Sequence, residues 1–188
     1  MSNHTKTFAL LIAGCMLFSP AAHAKVADSD MPELTAYFKT DNGLDAGHAR
    51  MIEGPNGILI KLDLENIAPG PHGLHLHDIG DCTPHGELSE NESPFSHASG
   101  HFNPNDKQHG FLNPNGSHAG DLPNITVPEN GKLTLDVFAH GLALNQSEQM
   151  PYLRDADGSA IMIHEGADDY TSDATGNAGP RLACAEIK

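Results

Sequence analysis

The sequence predicts an all-β domain, an antiparallel sandwich or barrel, on three observations. Apolar and polar residues alternate over short runs, turn-forming residues separate those runs, and no long amphipathic helical pattern follows the N-terminal segment. Ile58, Ile60, Leu62 and Leu64 alternate with Leu59, Lys61, Asp63 and Glu65, a period of two with one mostly polar face. Leu133, Leu135 and Val137 alternate with Lys132, Thr134 and Asp136 in the same way. Leu34–Lys39, Gly73–Asp78, Ala160–Glu165 and Leu182–Ile187 are further strands by composition. Gly54-Pro55-Asn56-Gly57, Pro69-Gly70-Pro71 and Glu129-Asn130-Gly131 supply turns. Many short strands with such turns form a sandwich or barrel. The 188 residues fit one domain with a substantial core, and no internal repeat suggests a second.

The first 24 residues read as an address. Lys6 precedes the mostly apolar run Phe8–Phe18, which is too short to span a bilayer, and Ala22-His23-Ala24 is an A-x-A cleavage signal. Residues 1–24 are therefore expected to be a secretory signal peptide and residues 25–188 the mature domain, exported to the periplasm. A rival sits inside the segment. Ile12-Ala13-Gly14-Cys15 resembles a lipobox, which would anchor the protein by a lipidated Cys15, but Met16-Leu17-Phe18 stays apolar where lipoproteins turn polar. Mass spectrometry of the mature N-terminus decides between them.

Cleavage leaves two cysteines, Cys82 and Cys184, and an oxidising compartment favours one disulfide over two buried thiols. Such a bridge closes a loop of about a hundred residues, worth roughly 4–5 kcal/mol in the chain-entropy model. The whole chain has a formal net charge of −15; loss of Lys6 takes the mature domain to −16. That excludes nucleic acid and anionic membrane surfaces as natural partners.

Two stretches break the strand pattern. Residues 83–124 form a long loop rich in Gly, Asn, Pro and His, and residues 166–180 a shorter one rich in Gly, Asp and Thr. A loop of some forty residues inside a compact domain needs something to order it. Thirteen histidines are the candidates, because a bound metal orders a loop that has no core of its own. His75-Leu76-His77 puts two imidazoles on one face of a strand while Leu74 and Leu76 face the core. His101, His109, His118 and Asp121 lie within twenty-one residues, and three imidazoles with one carboxylate suit tetrahedral zinc. His164 ends the strand Ala160-Ile-Met-Ile-His164 and shares a face with Met162.

His72-Gly-Leu-His75-Leu-His77, Gly100-His101-Phe-Asn-Pro104, His118-Ala-Gly-Asp121-Leu, Ile163-His164-Glu and Gly176-Asn-Ala-Gly-Pro-Arg181-Leu-Ala-Cys184 occur in this order. Together they resemble the signature blocks of the copper/zinc superoxide dismutase family, and Gly-Asp-Leu-Pro-Asn124 with the leader is similar to its exported bacterial branch. The resemblance implies a Greek-key, immunoglobulin-like β-sandwich or barrel whose two loops are a long metal-binding loop and a shorter electrostatic loop. It implies an oxidoreductase that converts superoxide to dioxygen and hydrogen peroxide by Cu(II)/Cu(I) cycling, with one copper and one zinc per subunit. Copper would be held by His75, His77, His101 and His164, and zinc by His101, His109, His118 and Asp121, with His101 the bridge and a catalytic residue. Asp168 matches the carboxylate that links His75 to His109, His72 a structural position, and Cys82 and Cys184 the loop-pinning disulfide. Arg181 matches the catalytic residue that draws the anion in. Bacterial members include monomers and dimers, so a homodimer is left open.

Three features depart from that pattern or fall outside it. The loop 166–180 carries Asp168, Asp169 and Asp173 but no Lys or Arg, an awkward setting for an anionic substrate. Lys107 is the nearest candidate for steering, set against the plainer reading of a solvated lysine. Ala185-Glu186 stands where the family continues with Gly and an apolar residue, and Glu186 is expected to face solvent. His48, His85, His97 and His140 match no ligand position. The competing class is a copper-binding module on the same fold without turnover, which would be expected to lack a ligand or the arginine; all are present here.

Overall fold

The structure, a computed structural model, describes Met1 and residues 31–84 and 93–188. The leader, Cys15 and His85 lie outside the described residues. The described residues of the unit Met31–Lys188 hold nine strands: β1 Glu33–Thr40, β2 Asp45–Gly54, β3 Gly57–Leu64, β4 Gly70–His72, β5 Leu74–His77, β6 Ile125–Val127, β7 Leu133–His140, β8 Ser159–His164 and β9 Arg181–Ile187. The one helical element among the described residues is a 3₁₀ turn, Ser96–Ala98. Seven strands pair in the order β5-β8-β9-β1-β2-β3-β7, antiparallel at every step, and β4 pairs with β6.

The β3 run became a strand because one face buries, whereas β7 buries Val137 and Ala139 but leaves Leu135 exposed. Ile58, Ile60, Leu62 and Leu64 of β3 are all buried, and they meet Phe38, Met51, Val137, Leu74, Leu76, Ile161 and Ile163 in one core. Burying side chains of this size stabilises by about 1.5–3 kcal/mol each. A second, smaller cluster lies on the other face of β8, where Met162 and Ala160 pack with Phe95, Ala98 and Cys184. The strand β2 had no alternating signature, since Ala46, Gly47 and Ala49 carry little β-propensity. It forms because β1 and β3 pair with it on both sides. Likewise β4 falls in the segment read as a turn, and β6 is three residues long.

The end of the sheet at β5 is where the long loop becomes ordered. Leu76 N–H donates to Gly120 O (2.8 Å), Phe102 N–H to Leu76 O (2.8 Å), and Gly120 N–H to Phe102 O (2.8 Å). Isolated bridges pair His75 with Asp121 and His77 with His101. The loop thus covers the β5 edge, which would otherwise be open. Gly120 permits this approach: a Cβ there would sit 2.4 Å from Leu76 O. At the far end of β8 the pairing with β9 shifts between Ile163 and His164, an irregularity that re-aims the final histidine.

Candidate metal centre

Four imidazoles converge from three parts of the fold. His75 and His77 come from β5, His164 from the end of β8, and His101 from the loop; all are buried. One ring nitrogen of each has no hydrogen-bond partner: His75 Nδ1, His77 Nε2, His101 Nε2 and His164 Nε2. The group offers ligand atoms within 4.8 Å of one another. Leaving one such buried atom unsatisfied costs about 1–3 kcal/mol, so four at one point mark a missing partner.

The opposite nitrogens explain why these four are free. His77 Nδ1 donates to Ser99 O (3.0 Å), His164 Nδ1 to Gly179 O (3.0 Å) and His75 Nε2 to Asp168 Oδ2 (2.8 Å). Each acceptor fixes the tautomer and points a lone pair at the common centre. Burial, together with the Arg181, His101 and His164 charges, holds His77 well below its ordinary value. Burial, then the neighbouring His75, pulls His164 down to about 3. Burial takes His101 down to about 4, against an opposing hydrogen bond to Asp121. These rings are neutral donors at neutral pH, as a transition metal requires.

A second centre shares His101. Asp121 Oδ1 lies 3.1 Å from His101 Nδ1, 3.0 Å from His109 Nδ1 and 3.3 Å from His118 Nδ1, and the His101 and His118 Nδ1 atoms are 3.4 Å apart. A tetrahedral zinc with arms of 2.0–2.1 Å has ligand edges of about 3.3–3.4 Å, and these four separations of 3.0–3.4 Å are of that size. His75 also falls near this group. Its Nε2 belongs to Asp168, however, and its Nδ1 to the first centre. Asp121 Oδ2 accepts from Gly110 N–H (2.9 Å) and His118 N–H (3.1 Å), which frees Oδ1 for the centre. Burial raises Asp121, but hydrogen bonds from His101, His109 and Gly110 outweigh it and hold the carboxyl far below the usual range. Burial lowers His109, yet hydrogen bonds to Asp121 and Asp168 drive it up to about 9.

Asp168 joins the two centres. Its Oδ2 takes the His75 proton at 2.8 Å and its Oδ1 the His109 proton at 3.0 Å. Two further residues, to which the sequence assigned no role of their own, hold it there. Asn124 Nδ2 donates to Asp168 O (2.8 Å) while Asp168 N–H donates to Asn124 Oδ1 (2.9 Å), a reciprocal clamp from across the molecule. Gly176 leaves the space that Asp168 Oδ1 occupies. The motif Gly-Asp-Leu-Pro-Asn124 was the only sign of the first. In the Asn124→Ala protein the clamp is lost, and zinc should leave to a chelator about tenfold faster than from the parent, as outer-shell losses do.

Arg181 faces the first centre. Its guanidinium donates to Phe95 O and Ser99 O, and both of those residues have positive φ, +58° and +63°. Non-glycine residues hold such conformations only where their surroundings impose them. His77, His101, His164, Thr175, Gly179 and Arg181 border a cavity of about 320 Å³. Lys107 borders a different cavity, beside Phe111 and His118, and so gains no support as a steering residue. The three loop acids are all engaged. Asp168 bridges the histidines, Asp169 accepts from Thr171, Ser172 and Asn177, and Asp173 accepts from His109 N–H.

The remaining histidines stand apart. Both ring nitrogens of His72 meet main-chain carbonyls, His164 O at 2.8 Å and Ala68 O at 2.7 Å. His48 lies against Tyr37, His140 against Phe138, and His97 Nδ1 3.5 Å from Asp81. The expected disulfide joins Cys82 and Cys184.

An antiparallel β-barrel whose end carries two imidazole-rich centres sharing one histidine is a dinuclear metalloprotein. A family described as copper/zinc superoxide dismutase (SODC) matches residues 46–187, and the chain belongs to that family. Superoxide dismutase [Cu-Zn] 1 of Aquifex aeolicus is 40% identical over 147 residues, 78% of this chain and 82% of the relative. Superoxide dismutase [Cu-Zn] of Caulobacter vibrioides is 38% identical, covering 82% of this chain and 84% of that one. Among solved structures, a double mutant of a SOD-like protein from Bacillus subtilis superposes with a TM-score of 0.74 at 35% identity, over 81% of this chain and 95% of that one. The activity is superoxide dismutation, an oxidoreductase reaction, and the cofactors are copper and zinc.

Proposed function

We propose that His75, His77, His101 and His164 hold copper, that His101, His109, His118 and Asp121 hold zinc, and that Arg181 and His101 serve catalysis directly. The four unpartnered buried ring nitrogens at one point carry this reading. Bound copper supplies a one-electron shuttle between two superoxide anions, giving one dioxygen and, with two protons, one hydrogen peroxide. The protein's own residues do the rest. Arg181 offers a permanently charged donor fork, already oriented by Phe95 O and Ser99 O, to a small anion. His101 would hold copper through Nε2 and zinc through Nδ1, which requires it to give up both ring protons. Its Nε2 is the atom placed to hold a proton for the peroxide. Asp168 orients one histidine of each centre.

Residues 1–24 are proposed as a cleaved leader and residues 25–188 as one catalytic domain working in the periplasm. The A-x-A signal and the Cys82–Cys184 disulfide, a bond that persists in oxidising compartments, support export. Superoxide removal by the purified mature protein, stripped of metal and reloaded with zinc then copper, tests the site. Copper-dependent turnover near 10⁸–10⁹ M⁻¹s⁻¹ is expected, roughly the diffusional ceiling that superoxide dismutases as a class reach. Stoichiometric copper binding without turnover would make the protein a copper carrier.

Protons report on the zinc ligands separately. His109 holds its proton up to about pH 9 and must lose it to bind zinc through Nδ1. Zinc uptake at pH 7 should therefore release at least one proton, and the release should fall away above pH 9, as read by calorimetry in buffers of different ionisation heat. The same group shapes metal-free stability. Its folded pKa exceeds the ordinary 6.5, so its contribution is complete below pH 6.5 and is lost as pH rises through 9. Between those values the metal-free protein should lose thermal stability relative to the zinc-loaded one.

A further inference from the structure

Glu186 is exposed, as the sequence predicts, and it also makes two polar contacts. Its Oε1 accepts the Cys82 amide proton at 3.1 Å, while Lys188 Nζ lies 2.9 Å from Oε2. The strand β9 therefore reaches residue 82 twice, by the sulfur bridge from Cys184 and by a hydrogen bond from Glu186. Beyond residue 82 a chain of hydrogen bonds leads back to the site. Thr83 is fixed by Asp81 Oδ1, which accepts from its amide at 3.0 Å, and Thr83 O accepts from Phe95 N–H at 3.1 Å. Phe95 O then holds the Arg181 guanidinium. The path Glu186, Cys82, Thr83, Phe95, Arg181 begins and ends on β9, and its only covalent duplicate is the disulfide.

We infer that Glu186 is a positioning residue for Arg181, a noncovalent second tether that keeps the Phe95 carbonyl in place when the Cys82–Cys184 bond is open. The inference rests on the reading of Arg181 as the anion-binding residue. A carboxylate accepting a main-chain N–H forms a charge-assisted bond, and removing it strips the Cys82 amide of its partner. With the disulfide closed, the sulfur bridge holds residue 82 regardless and the loss of Glu186 is masked. With it open, the tether stands alone. Glutamine keeps the Oε1 acceptor; leucine does not.

The test is a double-mutant cycle on metal-loaded protein. Glu186→Leu and Glu186→Gln are each made in the parent and in the Cys82→Ser/Cys184→Ser background, with copper and zinc contents matched. In the parent, all should dismute superoxide within about twofold of one another. In the cysteine-free background Glu186→Leu should cost about a further tenfold and Glu186→Gln should restore most of it. Equal losses in both backgrounds, or leucine and glutamine alike in the second, overturn the inference. If the cysteine-free protein does not fold, amide exchange at Cys82 in the disulfide-intact variants decides. Faster exchange in Glu186→Leu but not in Glu186→Gln supports the tether, and unchanged exchange overturns it. Failure of the Arg181 reading is seen separately, as full activity in Arg181→Ala with the Cys82 exchange pattern intact.

Discussion

The Arg181→Ala protein should keep both metals and lose about 10- to 100-fold in the rate constant for superoxide removal, the range over which local charge alters capture of an ion. The chain carries a formal net charge of −15, which repels a monoanion at long range. Among the described residues bordering the cavity over His77, His101 and His164, Arg181 is the only Lys or Arg. Attraction must therefore come from that one side chain and from the bound metals. Salt separates the two contributions. In the parent, raising ionic strength screens both the general repulsion and the local attraction. In Arg181→Ala the repulsion dominates what remains, so its rate should rise with salt across the range where the Debye length falls to about 8 Å. Arg181→Lys should recover part of the loss. It restores the charge but not the planar fork that Phe95 O and Ser99 O hold in position. Rapid-mixing kinetics with metal analysis on the same samples gives both readings. An unchanged rate in Arg181→Ala at matched metal content would remove Arg181 from the mechanism.

Legible in the sequence were features with a short repeat. The β3 alternation from Ile58 to Leu64 marks a strand because a period of two survives in any context that buries one face. The His75-Leu76-His77 pair is legible for the same reason. The strand β2 was not, because its glycine and alanines say nothing until β1 and β3 flank it. At the site, residue types and order pointed to two centres, but the partners that make them work are distant in sequence. Asn124 clamps a residue 44 positions later, and Glu186 holds one 104 positions earlier. Tautomers were equally hidden. That His77 presents Nε2 and His75 presents Nδ1 depends on Ser99 O and Asp168 Oδ2. The absence of basic residues from the loop 166–180 reads differently once its acids are placed. Asp168, Asp169 and Asp173 each hold loop or ligand structure, so their charges have a positional use although they work against steering.

Replacing Asp168 should be the most damaging change outside the ligands. With the proposed ligand set both of its histidine partners would use Nδ1 for a metal, which puts their protons on Nε2, and Asp168 then accepts two N–H groups at once. Its Oδ1 accepts a third from Tyr170 N–H at 2.6 Å. A carboxylate has the acceptors for this; an amide does not. In Asp168→Asn one N–H group would face the asparagine NH₂, and either His75 or His109 would lose its orienting partner. Loss of one such partner weakens metal binding by roughly 10- to 100-fold, and zinc affinity in Asp168→Asn should fall within that range. Competition with a chromophoric chelator measures this, and activity should fall as zinc is lost. Gly176→Ala should reproduce the defect without replacing any polar group. A Cβ there would lie 1.9 Å from Asp168 Oδ1 and 2.6 Å from His109 Nε2, at a φ of +61° that already disfavours a side chain. The carboxylate must move, and it cannot move without releasing one histidine. If Gly176→Ala binds zinc as tightly as the parent, the bridge through Asp168 is not what holds the two centres in register.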